Sequence, residues 1–375
     1  MNRRQPSAGR RKVFEVLECG GPGGTGNQVA AICNHLDPAK FEVALVYASR
    51  NFDPHAYRRL ASGAARAFYI PELVREITPR LDLKAFLRLR ELFRRERPDV
   101  VHAHSSKAGA LARLAAWSTG VPKIYYSPRG YSFLQQDRSP WARALYRAVE
   151  FSVSWIGEVV AVSPSEAGLA RTLTLGRPVH VICDPFLGDI PPARPPREKG
   201  ALIVAACGRM AAARAPDAFI NLSQRLTQSR HGLRCVWIGG GDDEARLRRD
   251  LENKNLGAKV EITGWLGRAE VLKRLADCDI LVHYSRWDAL PNAVLEAMAL
   301  GLPVVASNAP GCRDAVVDGV TGLIARNEEQ LLQHCLKLID DPELGRRLGQ
   351  AGQKRVRESF ALKDAAARIE ELYLS

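Results

Sequence analysis

Residues 279–307 have the sequence DILVHYSRWDALPNAVLEAMALGLPVVAS. The two ends, 279–285 and 303–307, are short apolar runs rich in residues that favour β-strands, and the segment between them has helical spacing. Pro291 suits the first turn of that helix. A strand, a helix and a second strand in this order predict a parallel sheet that is covered by helices on both faces.

The same alternation runs along both halves of the chain. Between the halves, residues 185–200 (PFLGDIPPARPPREKG) are too rich in proline for a helix interior or a central strand, which predicts an interdomain linker. Two doubly wound domains are therefore expected. The predicted strands are 12–19, 41–49, 99–104, 123–128 and 158–163 before the linker, and 201–209, 233–241, 258–265, 279–285, 303–307 and 321–325 after it.

The length of 375 residues exceeds what one hydrophobic core usually organises. We predict an α/β protein with an N-terminal Rossmann-like domain over residues 1–190 and a C-terminal one over residues 191–356. The last stretch, 357–375, is predicted to be helical. It could pack on either domain, including a return to the N-terminal one.

The net charge is +13, and residues 1–190 hold 27 Lys and Arg against 17 Asp and Glu, a balance of +10. Such a field attracts phosphorylated substrates, anionic lipid or nucleic acid, but no zinc finger or basic heptad array favours nucleic acid. The eight cysteines are scattered singly, which predicts reduced thiols. No stretch has the composition of a membrane span or a signal peptide, so we expect a cytoplasmic location.

A glycine run, residues 20–26 (GGPGGTG), leads from the first predicted strand into the first predicted helix. Exposed N–H groups and the helix dipole favour a phosphate there, although a tight turn without a ligand is another interpretation. Gly21, Gly23 and Gly26 also match the dinucleotide-binding fingerprint, so an NADP-dependent oxidoreductase is an alternative. That alternative expects an acidic residue after the second strand, where Arg50 would fit only the phosphorylated cofactor.

Two arginines follow the first strand of the second domain. Arg209 comes directly after Gly208, and Arg214 lies five residues further along. Cations at the carboxyl end of a parallel strand suit a diphosphate, because they stabilise the charge that a departing diphosphate gains in the transition state. Ordinary solvated surface arginines are the alternative interpretation.

Asp288 and Glu296 have seven residues between them. A helix that begins at Pro291 or Asn292 would leave N–H groups free to face a sugar or a phosphate. Asp288 could then accept hydrogen bonds from sugar hydroxyls, with Glu296 about one turn inside the helix. A capped amphipathic helix with a solvated Glu296 is the alternative. The segment predicted to face this sugar or phosphate comprises Ala289, Leu290, Pro291 and Asn292.

Together these motifs resemble glycosyltransferase family 4 of the GT-B fold, and the resemblance covers nearly the whole chain. It implies two Rossmann-like doubly wound domains that face each other across a cleft, with no cofactor and no metal. In the first half the matching positions are Gly23-Gly24, His102 with His104, 127–130 (SPRG) and 161–163 (AVS). In the second half they are Gly208-Arg209 with Arg214, 239–242 (GGGD), 263–265 (TGW), Ser285, Asp288 with Glu296 and the following Ala-Met-Ala, Gly301 with Pro303, and 318–322 (DGVTG).

The resemblance implies a donor site in the second domain. Arg209 and Arg214 would hold the donor diphosphate, and Glu296 would hold the ribose hydroxyls of the nucleotide. Asp288 and the backbone amides after it would hold the sugar. Gly264 and Trp265 would meet the base, with Gly24 and Gly208 as further donor contacts.

Contacts to the acceptor or the transferred sugar are implied for the first domain, at Gly23, His104 and Arg129. Arg129 stands where the family commonly has histidine, so it could instead bind an acidic sugar or an acceptor phosphate. Gly26 stands where many members have glutamate. In the second domain, Asp288 and Arg214 replace the more usual glutamate and lysine.

His102 and His104 alternate along a predicted strand, and we expect only one of them to point toward the helices on a given face. His104 is the better candidate for an acceptor contact because it is nearer the end of the strand. Neither histidine has a cysteine or carboxylate at metal-ligand spacing, which argues against a metal site. Structural, hydrogen-bonded histidines are the alternative.

The predicted helix at 83–96 (LKAFLRLRELFRRE) combines a basic face with an apolar face. It could lie on an anionic bilayer, or it could pack on the sheet as an ordinary amphipathic helix. An electropositive first domain fits an acceptor that carries a lipid diphosphate.

We therefore expect a metal-independent glycosyltransferase that moves a sugar from a nucleotide diphosphate sugar, with UDP favoured, to a lipid-linked or saccharide acceptor. Retention of configuration is implied by the resemblance alone. The expected setting is the synthesis of bacterial surface polysaccharide, in the cytoplasm or at the cytoplasmic face of the inner membrane. A GT-B-type sugar-nucleotide epimerase, an NADP-dependent oxidoreductase and an inactive sugar-nucleotide-binding protein are the alternatives.

Overall fold

The computed structural model describes residues 9–21, 23–49, 53–192 and 201–375. They form two compact units, the first comprising the chain up to Leu187 together with Leu362–Ser375, and the second comprising Gly188–Ala361. Residues 193–200 of the predicted linker, Pro22 of the glycine run and Arg50 lie outside the described residues.

The first unit is built on a parallel seven-stranded sheet with the order β3-β2-β1-β4-β5-β6-β7. Its strands are β1 (Arg11–Gly20), β2 (Phe41–Ser49), β3 (Arg66–Tyr69), β4 (Val100–His104), β5 (Lys123–Ser127), β6 (Glu158–Ala161) and β7 (Val179–Val181). Its helices, up to residue 187, are α1 (Gly24–His35), α2 (Pro54–Leu60), α3 (Pro79–Glu96), α4 (Ser106–Ser118), α5 (Pro140–Ser152) and α6 (Pro164–Arg171).

The second unit is built on a parallel six-stranded sheet with the order β10-β9-β8-β11-β12-β13. Its strands are β8 (Leu202–Cys207), β9 (Leu233–Ile238), β10 (Val260–Ile262), β11 (Ile280–His283), β12 (Val304–Ser307) and β13 (Leu323–Ala325). Its helices are α7 (Pro216–Ser229), α8 (Glu244–Asn253), α9 (Arg268–Ala276), α10 (Asn292–Ala299), α11 (Pro310–Ala315), α12 (Glu328–Asp340) and α13 (Pro342–Ser359).

Both faces of the first sheet are buried, as expected where helices cover a parallel sheet. Along β1, Phe14 and Val16 join the apolar cluster on one face, and Val13 and Leu17 join the cluster on the other. Neither set of side chains faces water, which explains why the strand is apolar along almost its whole length.

The predicted helical stretch 357–375 is two helices rather than one. Helix α13 ends at Ser359 in the second unit, and α14 (Leu362–Leu374) belongs to the first. Tyr373 of α14 is fully buried, with its ring stacked on Tyr125 at a centroid distance of 5.7 Å. The last helix therefore forms part of the first unit's core.

The strand order changes direction between β1 and β4 in the first sheet, and between β8 and β11 in the second. In open parallel sheets, ligands bind beyond the carboxyl ends of the strands at such switch points. The glycine run follows β1 and His104 ends β4, while Gly208 follows β8 and Ser285 lies just beyond β11. In each unit, these predicted site residues therefore lie beside the switch point of the sheet.

Helix α3 packs through Ala85, Leu89 and Phe93, which are buried, while Leu83 and Leu87 are exposed. Across the described ranges, no helix combines the length and the apolar composition needed to cross a bilayer.

Candidate functional site

Arg214 and Asp288 form an ion pair at the switch point of the second sheet. Arg214 Nη1 donates to Asp288 Oδ2 at 2.6 Å, and Nη2 donates to Oδ1 at 3.4 Å. The loops that carry them are also joined through the backbone, because the N–H of Arg286 donates to the carbonyl of Ala213 at 2.9 Å. The structure thus brings together two residues that are 74 positions apart.

His283 and Ser285 hold this pair in place. His283 Nε2 lies 2.9 Å from Asp288 Oδ2, and Arg214 Nη1 donates to Ser285 Oγ at 3.1 Å. Burial would raise the pKa of Asp288, but its interactions with Arg214, His283 and Ser285 outweigh burial and hold the pKa below its ordinary value. Burial lowers the pKa of His283, so His283 donates to Asp288 as a neutral imidazole. Asp288 is therefore held as an anion.

Arg209 lies on the same loop as Arg214 but is more exposed to solvent. Its Nη2 donates to Asp242 Oδ2 at 2.6 Å, in a pair where both side chains are exposed. Gly208, directly before it, has a φ of 132°, which L-residues rarely adopt. The glycine allows the chain to turn sharply as it leaves β8, and it brings a cation to the edge of the sheet.

Three loops meet beside Arg209. The N–H of Met210 donates to the carbonyl of Gly240 at 2.9 Å, and Gly239 forms a backbone bridge with Gly264. Trp265 follows, and its side chain is 63% exposed. An open indole beside glycine backbone offers a flat apolar surface of the kind that stacks on a heterocycle.

Helix α10 begins at Asn292, with Pro291 as its N-cap, which confirms the predicted start. Ala289 and Leu290 lie in the loop between Asp288 and this helix. Glu296 is largely buried, with Oε1 at 3.4 Å from Arg268 Nη2. Burial raises the pKa of Glu296, and Arg268 only partly offsets it.

The glycine run forms the end of β1 and the first turn of α1, which begins at Gly24 with Gly23 as its N-cap. A β-carbon on Gly26 would collide with the carbonyl oxygen of Gly21. A tight strand-to-helix turn accounts for glycine at position 26. Anion binding at the start of α1 stays a prediction.

His102 and His104 lie on the same face of β4, with ring centroids 4.2 Å apart. The prediction that only one of them points to a given face is wrong, because side chains two residues apart on a strand share a face. Glu15 of β1 joins them, with Oε2 2.6 Å from His104 Nε2. Tyr373 donates to Glu15 Oε1 at 2.6 Å and contacts His102 Nδ1 at the same distance.

Arg129 points back into the first unit. Its Nη1 contacts both carboxylate oxygens of Asp184 at 2.5 Å, and its Nε donates to His104 Nδ1 at 3.2 Å. His104 therefore carries its proton on Nε2, toward Glu15. Burial raises the pKa of Asp184 more than Arg129 lowers it.

Two groups of potential metal ligands occur within the described part of the chain. Each offers three ligand atoms within 4.8 Å of one another. The side chains within each group also contact one another or their neighbours through hydrogen bonds. Independence from metal stays a prediction. The groups are Glu15, His102 and His104 in the first unit, and His283, Asp288 and Cys312 in the second.

Two family models together match most of the chain. The model described as glycosyl transferases group 1 matches residues 191–355, and the model described as a glycosyl transferase 4-like domain matches residues 23–185. The chain belongs to the group 1 glycosyltransferases.

Curated relatives of this glycosyltransferase are similar over most of their length. The Escherichia coli UDP-Gal:alpha-D-GlcNAc-diphosphoundecaprenol alpha-1,3-galactosyltransferase is 25% identical over 83% of this chain and 84% of its own. The capsular polysaccharide biosynthesis glycosyltransferase CapM of Staphylococcus aureus is 23% identical over 82% of this chain and 84% of its own.

Solved structures identify the fold. A sucrose-phosphate synthase from Thermosynechococcus elongatus has a TM-score of 0.79 at 18% identity, covering 97% of this chain and 98% of its own. Anabaena HepE in complex with UDP and glucose has a TM-score of 0.77 at 16% identity, covering 97% of this chain and 99% of its own. With the two parallel α/β units, these similarities confirm the predicted GT-B fold.

Sequence reasoning missed several partners of the predicted residues. Glu15 carried a signal, because it is a charged residue in the middle of an apolar strand. His283 ends β11 at the switch point of the second sheet, where polar residues can reach a ligand, whereas Asp184 follows the edge strand β7, which the sequence did not predict. Tyr373 carried no comparable signal in the sequence.

Proposed function

We propose that this glycosyltransferase binds a nucleotide diphosphate sugar, with UDP favoured, at the switch point of the second sheet. The observation that carries the proposal is the Arg214–Asp288 pair, held by His283 next to the start of α10. HepE in complex with UDP-glucose, at a TM-score of 0.76, supports the choice of donor.

Each predicted donor residue then has a chemical task. Arg214 has five N–H donors, so it can keep Asp288 while its other N–H groups meet the diphosphate. Asp288, an anion in the free protein, accepts hydrogen bonds from sugar hydroxyls. Further roles are proposed for Arg209 at the diphosphate, Glu296 at the ribose, Gly264 and Trp265 at the base, and Gly24, Gly208, Ala289, Leu290, Pro291 and Asn292 as neighbouring contacts.

In the proposed transfer, the bond between the anomeric carbon and the diphosphate breaks, and a bond to the acceptor oxygen forms on the same face. The departing diphosphate takes the acceptor's proton, so configuration is retained without a protein nucleophile. Arg209 and Arg214 stabilise the charge that the leaving group gains, which is the role that a divalent cation would otherwise fill.

The proposed acceptor is a lipid-linked or polysaccharide hydroxyl in bacterial surface polymer synthesis, at the cytoplasmic face of the membrane. The name of the E. coli relative specifies a diphosphoundecaprenol acceptor, and that of CapM specifies capsular polysaccharide. The charge of +10 in residues 1–190, from 27 basic and 17 acidic residues, favours a phosphorylated acceptor. Gly23, His104 and Arg129 are the proposed acceptor or sugar contacts.

Thermal-shift measurements with UDP, GDP, ADP and NADP, each with magnesium and with EDTA, test the donor site. We expect UDP to stabilise the protein equally in both conditions, and Glu296→Ala to weaken that binding by about tenfold or more. Stabilisation by NADP alone would refute the proposal. Conversion of a UDP-sugar to its epimer without acceptor would indicate an epimerase instead.

A further inference from the structure

Helix α5 turns an apolar face toward solvent. Trp141, Ala144, Leu145, Ala148 and Val149 are exposed, and their spacing places them along one side of the helix. Trp141 is 86% exposed and Leu145 is 52% exposed. We call these five residues the α5 stripe. A continuous stripe of this kind marks an interaction surface more often than an isolated exposed leucine does.

The opposite side of α5 faces the protein, and Tyr146 packs there against the apolar cluster that includes Tyr131 and Phe133. Glu150 is buried, and it accepts hydrogen bonds from Arg113 at 3.0 Å and from the Tyr126 hydroxyl at 2.6 Å. Arg143 donates to the carbonyl of Phe133 at 3.0 Å. The helix is therefore attached through Tyr146 and through ionic and polar contacts, whereas the five residues of the α5 stripe stay exposed.

Two more aromatic side chains lie near the end of α5. Trp155 packs edge-to-face on Trp117 at a centroid distance of 5.1 Å, and both are partly exposed. The indole N–H of Trp155 donates to the carbonyl of Ser152. Tryptophan rings with one polar edge are enriched where proteins meet the interface of a bilayer.

The charged residues near the α5 stripe indicate which kind of partner it binds. Arg138 and Arg147 are exposed near it, with Asp137 as an exposed acidic neighbour, whereas Glu150, the carboxylate of α5, faces inward. A second copy would bring like charge together, since residues 1–190 carry 27 basic and 17 acidic side chains. We propose that the α5 stripe and the Trp117–Trp155 pair lie in the interface of an anionic lipid bilayer.

The reason for membrane contact rests on the proposed lipid-linked acceptor, but the surface is inferred from the α5 stripe, the Trp117–Trp155 pair and the charges near them. Vesicle binding needs neither donor nor acceptor, so the two proposals can fail separately. A variant that loses vesicle binding yet still transfers sugar to a water-soluble acceptor would support both. Vesicle binding without transfer would overturn the proposed function and leave the surface intact.

Flotation with vesicles of phosphatidylglycerol and phosphatidylethanolamine tests the surface directly. We expect Trp141→Ser with Leu145→Ser to lower the partition coefficient at least about tenfold. The matched control is Leu83→Ser with Leu87→Ser on α3, where the two leucines are 59% and 51% exposed, and we expect a change within about twofold. A larger loss in the α3 variant, or no binding by the unmodified protein, would overturn the proposal.

A second experiment tests whether the α5 stripe binds a second copy of this chain instead of a bilayer. Brominated lipid should quench the fluorescence of the unmodified protein more than that of Trp141→Phe, because position 141 would insert into the bilayer. Sedimentation should give a monomer for both proteins. A dimer that the stripe substitutions dissociate, with no flotation of the unmodified protein, would assign the stripe to a second copy of this chain.

Discussion

Each sheet carries an arginine, an aspartate and a histidine in contact at its carboxyl edge. The first cluster is Arg129, Asp184 and His104, and the second cluster is Arg214, Asp288 and His283. The arginine of the first cluster is 5% exposed, against 27% in the second. The pKa of the aspartate is raised by burial in the first cluster, whereas in the second the neighbouring donors outweigh burial and lower it.

This contrast separates two uses of the same residue types. In the second cluster the arginine remains partly open to solvent and the aspartate is a stable anion, which suits the contacts with diphosphate and sugar that we propose for them. In the first cluster the ion pair is enclosed, and its removal should affect folding before it affects binding. The two arginines should therefore respond differently to substitution.

Arg129→Met should have the largest effect on stability. It would leave the buried carboxylate of Asp184 without its cation, and we expect the free energy of unfolding to fall by about 3–5 kcal/mol in urea denaturation. Adding Asp184→Asn should recover part of this loss. Wild-type stability with transfer abolished would overturn the structural role of Arg129 and leave only its proposed contact with the acceptor or sugar.

Arg214→Ala should act mainly on turnover. We expect the rate of sugar transfer to fall by about 100-fold or more, because the departing diphosphate loses a fixed cation. Arg225→Ala is the matched control, since Arg225 pairs with Glu329 on the surface of the same unit. A loss of stability as large as that of Arg129→Met would remove the contrast between the clusters.

Glu166→Gln should change how stability depends on pH. Glu166 accepts N–H groups from Gly130 and Val162 beside the first cluster, and burial raises its pKa from 4.5 to about 7. Wild-type stability contributed by this group is complete below pH 4.5 and is lost as the pH rises to about 7. Relative to wild type, the variant should therefore gain up to about 3 kcal/mol between pH 4.5 and pH 8.

Unfolding measurements across this pH range test whether the variant gains stability relative to the wild type as the pH rises. Glutamine mimics the protonated carboxyl, so the stability of the variant should depend less on pH than that of the wild type. Any free energy lost with one hydrogen-bond acceptor oxygen should be the same at every pH. A stability difference that stays the same at every pH would show that Glu166 is ionised throughout.

The sequence allowed the fold to be predicted wherever apolar runs were long and buried. The predicted strand 41–49 coincides with β2, whereas β3 and β7 were missed. Both missed strands are short, at four and three residues, and each lies at an edge of the sheet, where partial exposure weakens the apolar pattern.

The candidate site was predictable where a local motif carries it, as with Asp288 and Glu296. Its supporting contacts were not, because they join residues that no local pattern relates, such as Glu15 and Tyr373, 358 positions apart. The prediction for His102 and His104 was wrong for another reason. Strand periodicity already places His102 and His104 on one face, and the register of β1 against β4 then brings Glu15 to them.

Tyr373→Phe should have the smallest effect of these substitutions, and it tests the difference between the two clusters most selectively. The tyrosine hydroxyl donates to Glu15, which contacts His104, which in turn accepts from Arg129. The last helix thus positions the first cluster, and loss of the hydroxyl should cost about 1 kcal/mol of stability. If the cluster also contacts the acceptor, the acceptor KM should rise by about twofold to fivefold, with donor KM unchanged.

Tyr125→Phe is the matched control for this effect. Its hydroxyl donates to the carbonyl of Leu372 at 2.8 Å, so it also ties α14 to the sheet, but through the backbone rather than through Glu15. Both variants should lose similar stability, and only Tyr373→Phe should alter acceptor KM. An equal rise in both would mean that α14 acts through general packing, whereas a change in neither would make the first cluster purely structural and leave the second as the place where substrate is held.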